Sequence, residues 1–110
     1  MIDWQDFEKI EMRTGTVIEV KDFPQAKNPS YQLKIDFGKE IGIKNSSAQI
    51  TKLYNKEELV GKQIIAVTNF PPKQIANFIS ECLVLGVVLE NKEVILLTPD
   101  KKTENGKRIA

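Results

Sequence analysis

Hydrophobic and polar residues alternate along much of the chain, which is the pattern of half-buried β-strands. The alternation is clearest at residues 31–37, where Leu33, Ile35 and Phe37 are separated by polar residues. Further strand-like segments lie at residues 13–21, 40–45, 62–70, 81–90 and 93–98. The pattern therefore predicts five or six short strands, and in the first of them Ile18 and Val20 are expected on the same face.

Two short helices are predicted among these strands. Asp3 is a suitable N-cap for an N-terminal helix that places Trp4 and Phe7 on one face. Ser46 or Ser47 could cap a second short helix after the third strand. We expect both helices to be minor elements of a β protein.

Turn chemistry separates the predicted elements. Two prolines fall within residues 23–30, two more end a strand at 71–72, and Asn91-Lys92 can join a hairpin. Residues 55–61 are expected to form a turn or a single helical turn, residues 73–80 are a connection of undefined conformation, and the chain is expected to be frayed from about residue 100.

Strands at this spacing favour a sandwich or a small barrel. A five-stranded, partly open barrel with a helix between its third and fourth strands is the OB-fold pattern, although other small barrels share the periodicity. A chain of 110 residues is long enough for one core and too short for two. The sequence thus predicts an all-β protein that forms a single domain over residues 1–110.

Composition excludes several kinds of chemistry. The chain has no histidine and a single cysteine, Cys82, so imidazole catalysis, internal disulfides and thiolate metal sets are excluded. Cys82 begins an apolar segment and is expected to be a buried, inert thiol. We therefore predict no metal, no cofactor and no enzymatic activity.

The longest apolar run, residues 83–89, is too short to span a bilayer, and the N-terminus lacks the apolar core of a signal peptide. These observations predict a cytoplasmic protein without membrane insertion.

A modest excess of positive charge is concentrated in the middle of the chain. The net charge is +1, but residues 41–80 carry five lysines against two glutamates, interleaved with Tyr54, Phe70 and Phe78. Cations beside exposed aromatic rings suit single-stranded nucleic acid. The alternative is a solvated lysine-bearing face around a core that contains those rings.

Two segments carry candidate binding groups. Residues 69–73 combine an amide, a ring, two prolines and a cation, which could form a rigid ligand-binding loop or could simply end a strand. Lys44-Asn45-Ser46 could in principle hold a Ser–Lys nucleophile, but no second base or oxyanion turn accompanies it, so turn formation is favoured. Ser80-Glu81 could be a polar binding pair or a strand start.

Several motifs together resemble the tRNA-binding domain family, an OB-fold appended to some aminoacyl-tRNA synthetases and also found as free-standing proteins. The motifs lie at residues 6–17, 34–38, 54–62 and 69–73, the last followed by Ser80-Glu81-Cys82-Leu83. Residues 40–51 are most similar to an export-related chaperone branch of that family. The resemblance implies a homodimer that binds unfolded precursor proteins and the translocation ATPase, together with a capacity to bind tRNA.

The loop that binds RNA in this family differs here in two positions. Asn77 stands in place of the usual glycine and Ile79 in place of a lysine, which leaves Lys73 as the only cation of the loop. Since each lost phosphate contact lowers affinity, we expect weak tRNA binding and a more apolar, peptide-binding surface.

Two hypotheses for the ligand follow, a peptide-binding chaperone and a free-standing tRNA-binding protein. They share one candidate surface: Lys44, Asn45, Ser46, Lys52, Asn69, Phe70, Pro72, Lys73, Phe78, Ser80 and Glu81. In the RNA hypothesis Lys44, Lys52 and Lys73 contact phosphates. Residues 81–90 are apolar on both faces, so a second copy of the chain is expected to cover one of them.

Overall fold

The computed structural model describes residues 1–110, and β-strands dominate it. The strands are β1 (Met12–Asp22), β2 (Tyr31–Asp36), β3 (Ile43–Ala48), β4 (Gln63–Val67), β5 (Lys73–Ile75), β6 (Phe78–Ser80), β7 (Leu83–Val84), β8 (Gly86–Val88) and β9 (Val94–Leu96). The helices are α1 (Trp4–Glu8) and α2 (Lys56–Leu59), with a 3₁₀ turn at Glu90–Lys92. None of these helices has the length and apolar composition needed to cross a membrane.

Five strands form an antiparallel sheet in the order β3-β2-β1-β4-β7, which curls into a nearly closed barrel. The hairpins β5–β6 and β8–β9 are attached to it. This architecture confirms the predicted all-β, OB-type barrel. The alternation in β2 is also confirmed, because Leu33, Ile35 and Phe37 are almost fully buried in the core.

A β-bulge in β1 changes which side chains face the core. The pairing of β1 with β2 shifts between Val17 and Glu19, so Val17 is buried and Val20 packs against the core while Ile18 is exposed. The prediction that Ile18 and Val20 share a face was therefore wrong. A bulge bends its strand and increases the local twist, which lets β1 pair with β4 at its start and with β2 at its end.

The helix that connects β3 to β4 begins later in the chain than the predicted caps at Ser46 and Ser47. Ser46 and Ser47 do not cap a helix but belong to β3, and Ser46 is completely buried. The helix is α2, in the segment expected to form a turn or a single helical turn. Asn55 caps it reciprocally with Glu58, and Leu59 is fully buried in the core.

Residues 81–90 do not form one strand. β7 pairs with β4, the Leu85 N–H donates to the carbonyl of Ile65, and the chain then leaves β4 so that β8 can pair with β9. Gly86 allows this close approach, since a Cβ there would overlap the side chain of Val94. The Asn91-Lys92 turn is confirmed, with positive φ angles of 58° and 63°, the values of a type I′ hairpin turn.

The C-terminal segment is paired rather than frayed, which corrects the prediction for residues after about 100. The N–H of Thr14 donates to the carbonyl of Lys107 at 3.0 Å, and the N–H of Ile109 donates to the carbonyl of Met12 at 2.9 Å. The Arg13 guanidinium also donates to the carbonyl of Gly106 at 3.1 Å. The tail thus covers the edge of β1 that β2 leaves free.

The predicted N-terminal helix is confirmed, and it packs on almost nothing. Asp3 and Asp6 form a capping box at the start of α1. No residue of α1 is buried, and Trp4 is 83% exposed. Beside it, Ile2, Phe7 and Ala110 line an apolar hollow of about 480 Å³.

Candidate functional site

A groove of about 810 Å³ lies between the end of β3 and the β5–β6 hairpin. Residues 70–75 form one wall, Ser47 and Gln49 form the other, and residues 80–83 form the floor. We call this feature the β3 groove. Five of the predicted site residues meet there: Phe70, Pro72, Lys73, Ser80 and Glu81.

The first wall is apolar and rigid at its start. Phe70 is 53% exposed, and neither Pro71 nor Pro72 has an N–H with which to pair with a neighbouring strand. Lys73, which begins β5, is the only cation in the lining of the groove, and Glu81 is the only acid. The wall therefore presents a ring and two prolines with a single positive charge.

The segment of undefined conformation at residues 73–80 is a hairpin. Lys73 pairs with Ser80 and Ile75 with Phe78, and Ala76 adopts a φ of +52° in the two-residue turn. Ile79 is exposed. The Phe78 ring is not in the lining of the β3 groove but packs against Phe23, with the ring centroids 5.4 Å apart. Phe78 thus anchors the hairpin to the loop between β1 and β2.

The floor of the groove is also the seam that closes the barrel. The N–H of Asn45 donates to the Glu81 carboxylate at 2.9 Å, and the N–H of Glu81 donates to the carbonyl of Asn45 at 2.8 Å. The Ser46 hydroxyl donates to the carbonyl of Cys82 at 2.9 Å. The N–H of Ser47 donates to the Ser80 hydroxyl at 3.2 Å. These four predicted site residues, Asn45, Ser46, Ser80 and Glu81, therefore hold β3 against the chain around β6 and β7.

Cys82 lies beneath this seam and is buried, as predicted. Burial raises the pKa of the Cys82 thiol to about 11, and the Ser46 hydroxyl opposes this shift. The Cys82 thiol donates to the carbonyl of Asn45, with 3.8 Å between the sulfur and the oxygen. Because the thiolate is the reactive form, this cysteine is inert at neutral pH.

The remaining predicted site residues lie outside the β3 groove. The Asn69 side chain donates to the carbonyl of Lys9 at 2.7 Å and accepts from the N–H of Glu11 at 3.0 Å, so it ties the N-terminal segment to the end of β4. The Lys52 ammonium donates to the carbonyl of Asn91 in the β8–β9 turn. Lys44 lies on β3 opposite Ile35.

A second surface with polar and aromatic groups lies on the outer face of β1, β2 and β3. Lys21, Gln32, Lys34, Asn45 and Phe78 line a small hollow there, together with Glu19 and Leu33. This face lies between the β1–β2 loop and the β5–β6 hairpin, where OB-folds bind oligonucleotides.

Glu19 lies between the two lysines of this outer face. Its carboxylate is 3.4 Å from the ammonium of Lys21 and 3.4 Å from that of Lys34. The positive charge of Lys21 contributes most to lowering the pKa of Glu19, and Lys34 adds to the effect. Both cations therefore already have a protein partner.

Sequence reasoning missed some residues of both surfaces. Lys21 and Lys34 occupy the polar positions of the alternating pattern, and that pattern could have placed them together once the strands were paired. Ser47, Gln49 and Leu83 carry no such signal, because they line the β3 groove only through the register of distant strands.

A third exposed surface is apolar. Val87 and its cross-strand partner Ile95 are exposed on one face of the β8–β9 hairpin, and Val88, which pairs with Val94 on the other face, is 77% exposed. These three apolar side chains are therefore accessible to solvent.

Two solved structures are similar to this chain in both sequence and fold. The chain is 51% identical to the chaperone CsaA from Bacillus anthracis, with a TM-score of 0.95 over 100% of this chain and 99% of that one. It is 60% identical to the CsaA chaperone protein from Picrophilus torridus, with a TM-score of 0.94 and full coverage of both chains.

A second group of relatives consists of methionine–tRNA ligases. The chain is 36% identical to the enzyme from Pyrococcus horikoshii over 98% of its own length, but it spans only 14% of that enzyme. The match to the enzyme from Nanoarchaeum equitans is 35% identical and likewise spans 14% of the relative.

The family itself is identified by sequence. Residues 12–108 match the family described as "Putative tRNA binding domain". That match spans β1 to the paired C-terminal tail and therefore the whole barrel. This chain belongs to the tRNA-binding domain family.

Proposed function

We propose that this chain is a non-catalytic chaperone module that holds unfolded precursor proteins in an export-competent state. The observation that carries the proposal is the β3 groove, where exposed Phe70 and two prolines accompany a single cation, Lys73. Next to the groove, on the β5–β6 hairpin, Ile79 stands in place of the lysine usual in the family and exposes a further apolar side chain. Such a surface suits an extended polypeptide with apolar side chains better than it suits a polyanion.

Similarity to solved structures supports this choice. The two CsaA chaperones share 51% and 60% identity with the chain over essentially their full lengths, whereas the methionine–tRNA ligases match at about one seventh of theirs. The resemblance of residues 40–51 to export-related chaperones further suggests the translocation ATPase as a partner and the cytoplasm as the place of action.

A homodimer is part of the proposal. The exposed Val87, Val88 and Ile95 on the β8–β9 hairpin and the unpacked Trp4 on α1 are apolar surfaces that the chain itself does not cover. Leaving them in water is unfavourable, and a two-fold pair is the commonest way to bury them. We expect the interface to use the terminal segments and one side of the barrel.

Transfer-RNA binding is the second candidate function, supported by the family match and by the outer face of β1 to β3. Phe78 lines the hollow on this face together with Lys21 and Lys34. However, both lysines pair with Glu19, so phosphates must compete with an existing carboxylate. We therefore propose weak, salt-sensitive binding of tRNA.

One experiment separates the two ligands. Binding of bulk tRNA and of a chemically unfolded secretory precursor is measured at about 50 and 200 mM salt, a range over which phosphate-driven binding falls steeply. We expect precursor binding to change little with salt and to be weakened by Phe70→Ser, but not by Val60→Ser, which alters an equally exposed apolar residue away from the groove. Tight tRNA binding with no precursor binding would instead favour the RNA function.

A further inference from the structure

The β3 groove contains an open strand edge. The N–H of Phe37 donates to the carbonyl of Gly42 at 3.0 Å, and β2 and β3 continue in register from that pair. In an antiparallel ladder hydrogen-bonded pairs alternate with non-bonded ones. The main-chain groups of residues 44, 46 and 48 therefore face β2, and those of Asn45, Ser47 and Gln49 face away from it, towards the seam and the groove.

The hydrogen bonds of the seam use the main-chain groups at the start of this edge only. Both main-chain groups of Asn45 are bonded to Glu81, and the N–H of Ser47 is bonded to Ser80. Beyond that point the N–H of Gln49 makes no hydrogen bond within the chain. β3 pairs with no strand other than β2, so the carbonyl of Ser47, which points away from β2, has no strand partner. Both residues line the groove, so an unpaired acceptor and an unpaired donor are presented there.

The opposite wall keeps this edge open. Pro71 and Pro72 have no N–H, so this part of the chain cannot close onto β3 as a neighbouring strand would. Phe70, Ile75 and Leu83 supply apolar surface on the same groove. The result is a slot with main-chain hydrogen-bonding groups on one side and apolar side chains on the other.

We infer that the ligand of the β3 groove is an extended polypeptide that pairs with Ser47 and Gln49 as an added strand. This inference rests on the proposed chaperone function and specifies how the client is recognised. A polypeptide in extended form repeats donors and acceptors at the spacing of a strand, whereas a phosphodiester backbone has no N–H groups to offer the Ser47 carbonyl. Recognition through the main chain tolerates many sequences, which a holder of unfolded proteins requires.

The test uses a fluorescein-labelled octapeptide that alternates valine and threonine, with binding followed by fluorescence anisotropy. Two N-methylated forms are compared, one methylated at the odd positions and one at the even positions. In an added strand only one of these sets points to β3. We expect that set to weaken binding at least about tenfold, through lost hydrogen bonds and steric exclusion, and the other set to leave binding within about twofold.

A protein variant tests the same hydrogen bonds by removing the N–H of Gln49 instead of an N–H of the peptide. Gln49→Pro removes the unpaired N–H, and Ala48, which precedes it, already lies in a strand as a residue before proline prefers. We expect Gln49→Pro to weaken binding of the unmodified octapeptide and Gln49→Ala, which keeps the N–H, to bind normally. The methylated peptides require no change in the protein, so the test stands even if Gln49→Pro fails to fold.

The possible outcomes distinguish a failure of the added-strand inference from a failure of the proposed chaperone function. If both methylated peptides bind like the parent, while Phe70→Ser weakens all three, the groove binds peptide but the added strand is refuted. Absence of binding by any of the peptides and by the unfolded precursor refutes the chaperone function and the inference with it. Displacement of the octapeptide from the groove by an oligouridylate, with a steep salt dependence, would assign the edge to RNA and also overturn the inference.

Discussion

The seam residue Glu81 gives the sharpest test of how this barrel closes. In Glu81→Ala the N–H of Asn45 loses the carboxylate that it contacts at 2.9 Å, while the main-chain bond from Glu81 back to Asn45 is retained. A hydrogen bond to a charged group contributes about 1.5–3 kcal/mol when buried. Both residues are partly exposed, so water replaces some of that contribution and we expect a loss of about 1–2 kcal/mol in the free energy of unfolding.

The assay is urea unfolding followed by far-ultraviolet circular dichroism. With an m-value of about 1–2 kcal/mol per molar urea for a domain of this size, the midpoint is expected to fall by about 1 M. Glu81→Gln retains an acceptor oxygen and is expected to lose roughly half as much. Glu40→Ala, at an exposed glutamate outside the groove, is the matched control and is expected to change stability by less than about 0.5 kcal/mol.

The same variant separates a structural role from a ligand-binding one. If Glu81→Ala unfolds at the wild-type midpoint but no longer binds peptide, the carboxylate serves the ligand and our account of the seam is refuted. A lower midpoint with unchanged peptide affinity supports the seam and removes Glu81 from the list of direct ligand contacts.

Three further outcomes are expected. The β5–β6 hairpin carries both Phe78 of the outer face and Lys73 of the β3 groove, so tRNA bound on the outer face is expected to reach Lys73. Lys73→Glu should therefore weaken tRNA binding and lower the slope of log affinity against log salt by about one unit, and an unchanged slope in filter-binding assays would place Lys73 outside the RNA path. Light scattering after size-exclusion chromatography should give twice the chain mass of 12.5 kDa. Val88→Asp should shift the protein to a monomer, whereas the control Val60→Asp should remain a dimer. A monomeric wild-type protein would contradict the proposed dimer. Because burial raises the pKa of Cys82 from 9.0 to about 11, its contribution to stability is present below pH 9 and is lost as pH rises through about 11. Between pH 9 and about 11, the stability of Cys82→Ala should therefore fall less than that of the wild-type protein. If the urea midpoints of the two proteins change identically with pH, this prediction is wrong.

The sequence by itself determined the parts of this protein that depend on local patterns. The alternation of Leu33, Ile35 and Phe37 placed β2 with one face in the core, because side-chain direction in a strand has a period of two. The cap at Asp3 and the Asn91-Lys92 turn were likewise predictable, since each depends on the chemistry of a few adjacent residues. The motifs of the tRNA-binding domain family supplied the topology that periodicity alone left open between several small barrels.

Only the tertiary structure decided which distant main-chain groups pair. Residues after about 100 are polar and were expected to be frayed, yet they are paired through their backbone with Met12 and Thr14, and composition does not report that pairing. Ser46 and Ser47 have the composition of a helix cap, but they pair with Leu33 and Gln32 of β2 and are therefore part of β3.

The candidate site shows the same division. The sequence identified Phe70, Pro72 and Lys73 because a ring, a double proline and a cation are locally distinctive. Gln49 was not identified, since what matters there is an N–H left unpaired by the register of β3 against β2 and the seam. Register is set by contacts between residues far apart in the chain, so side-chain pattern can predict the strands while their open edges emerge only from the folded barrel.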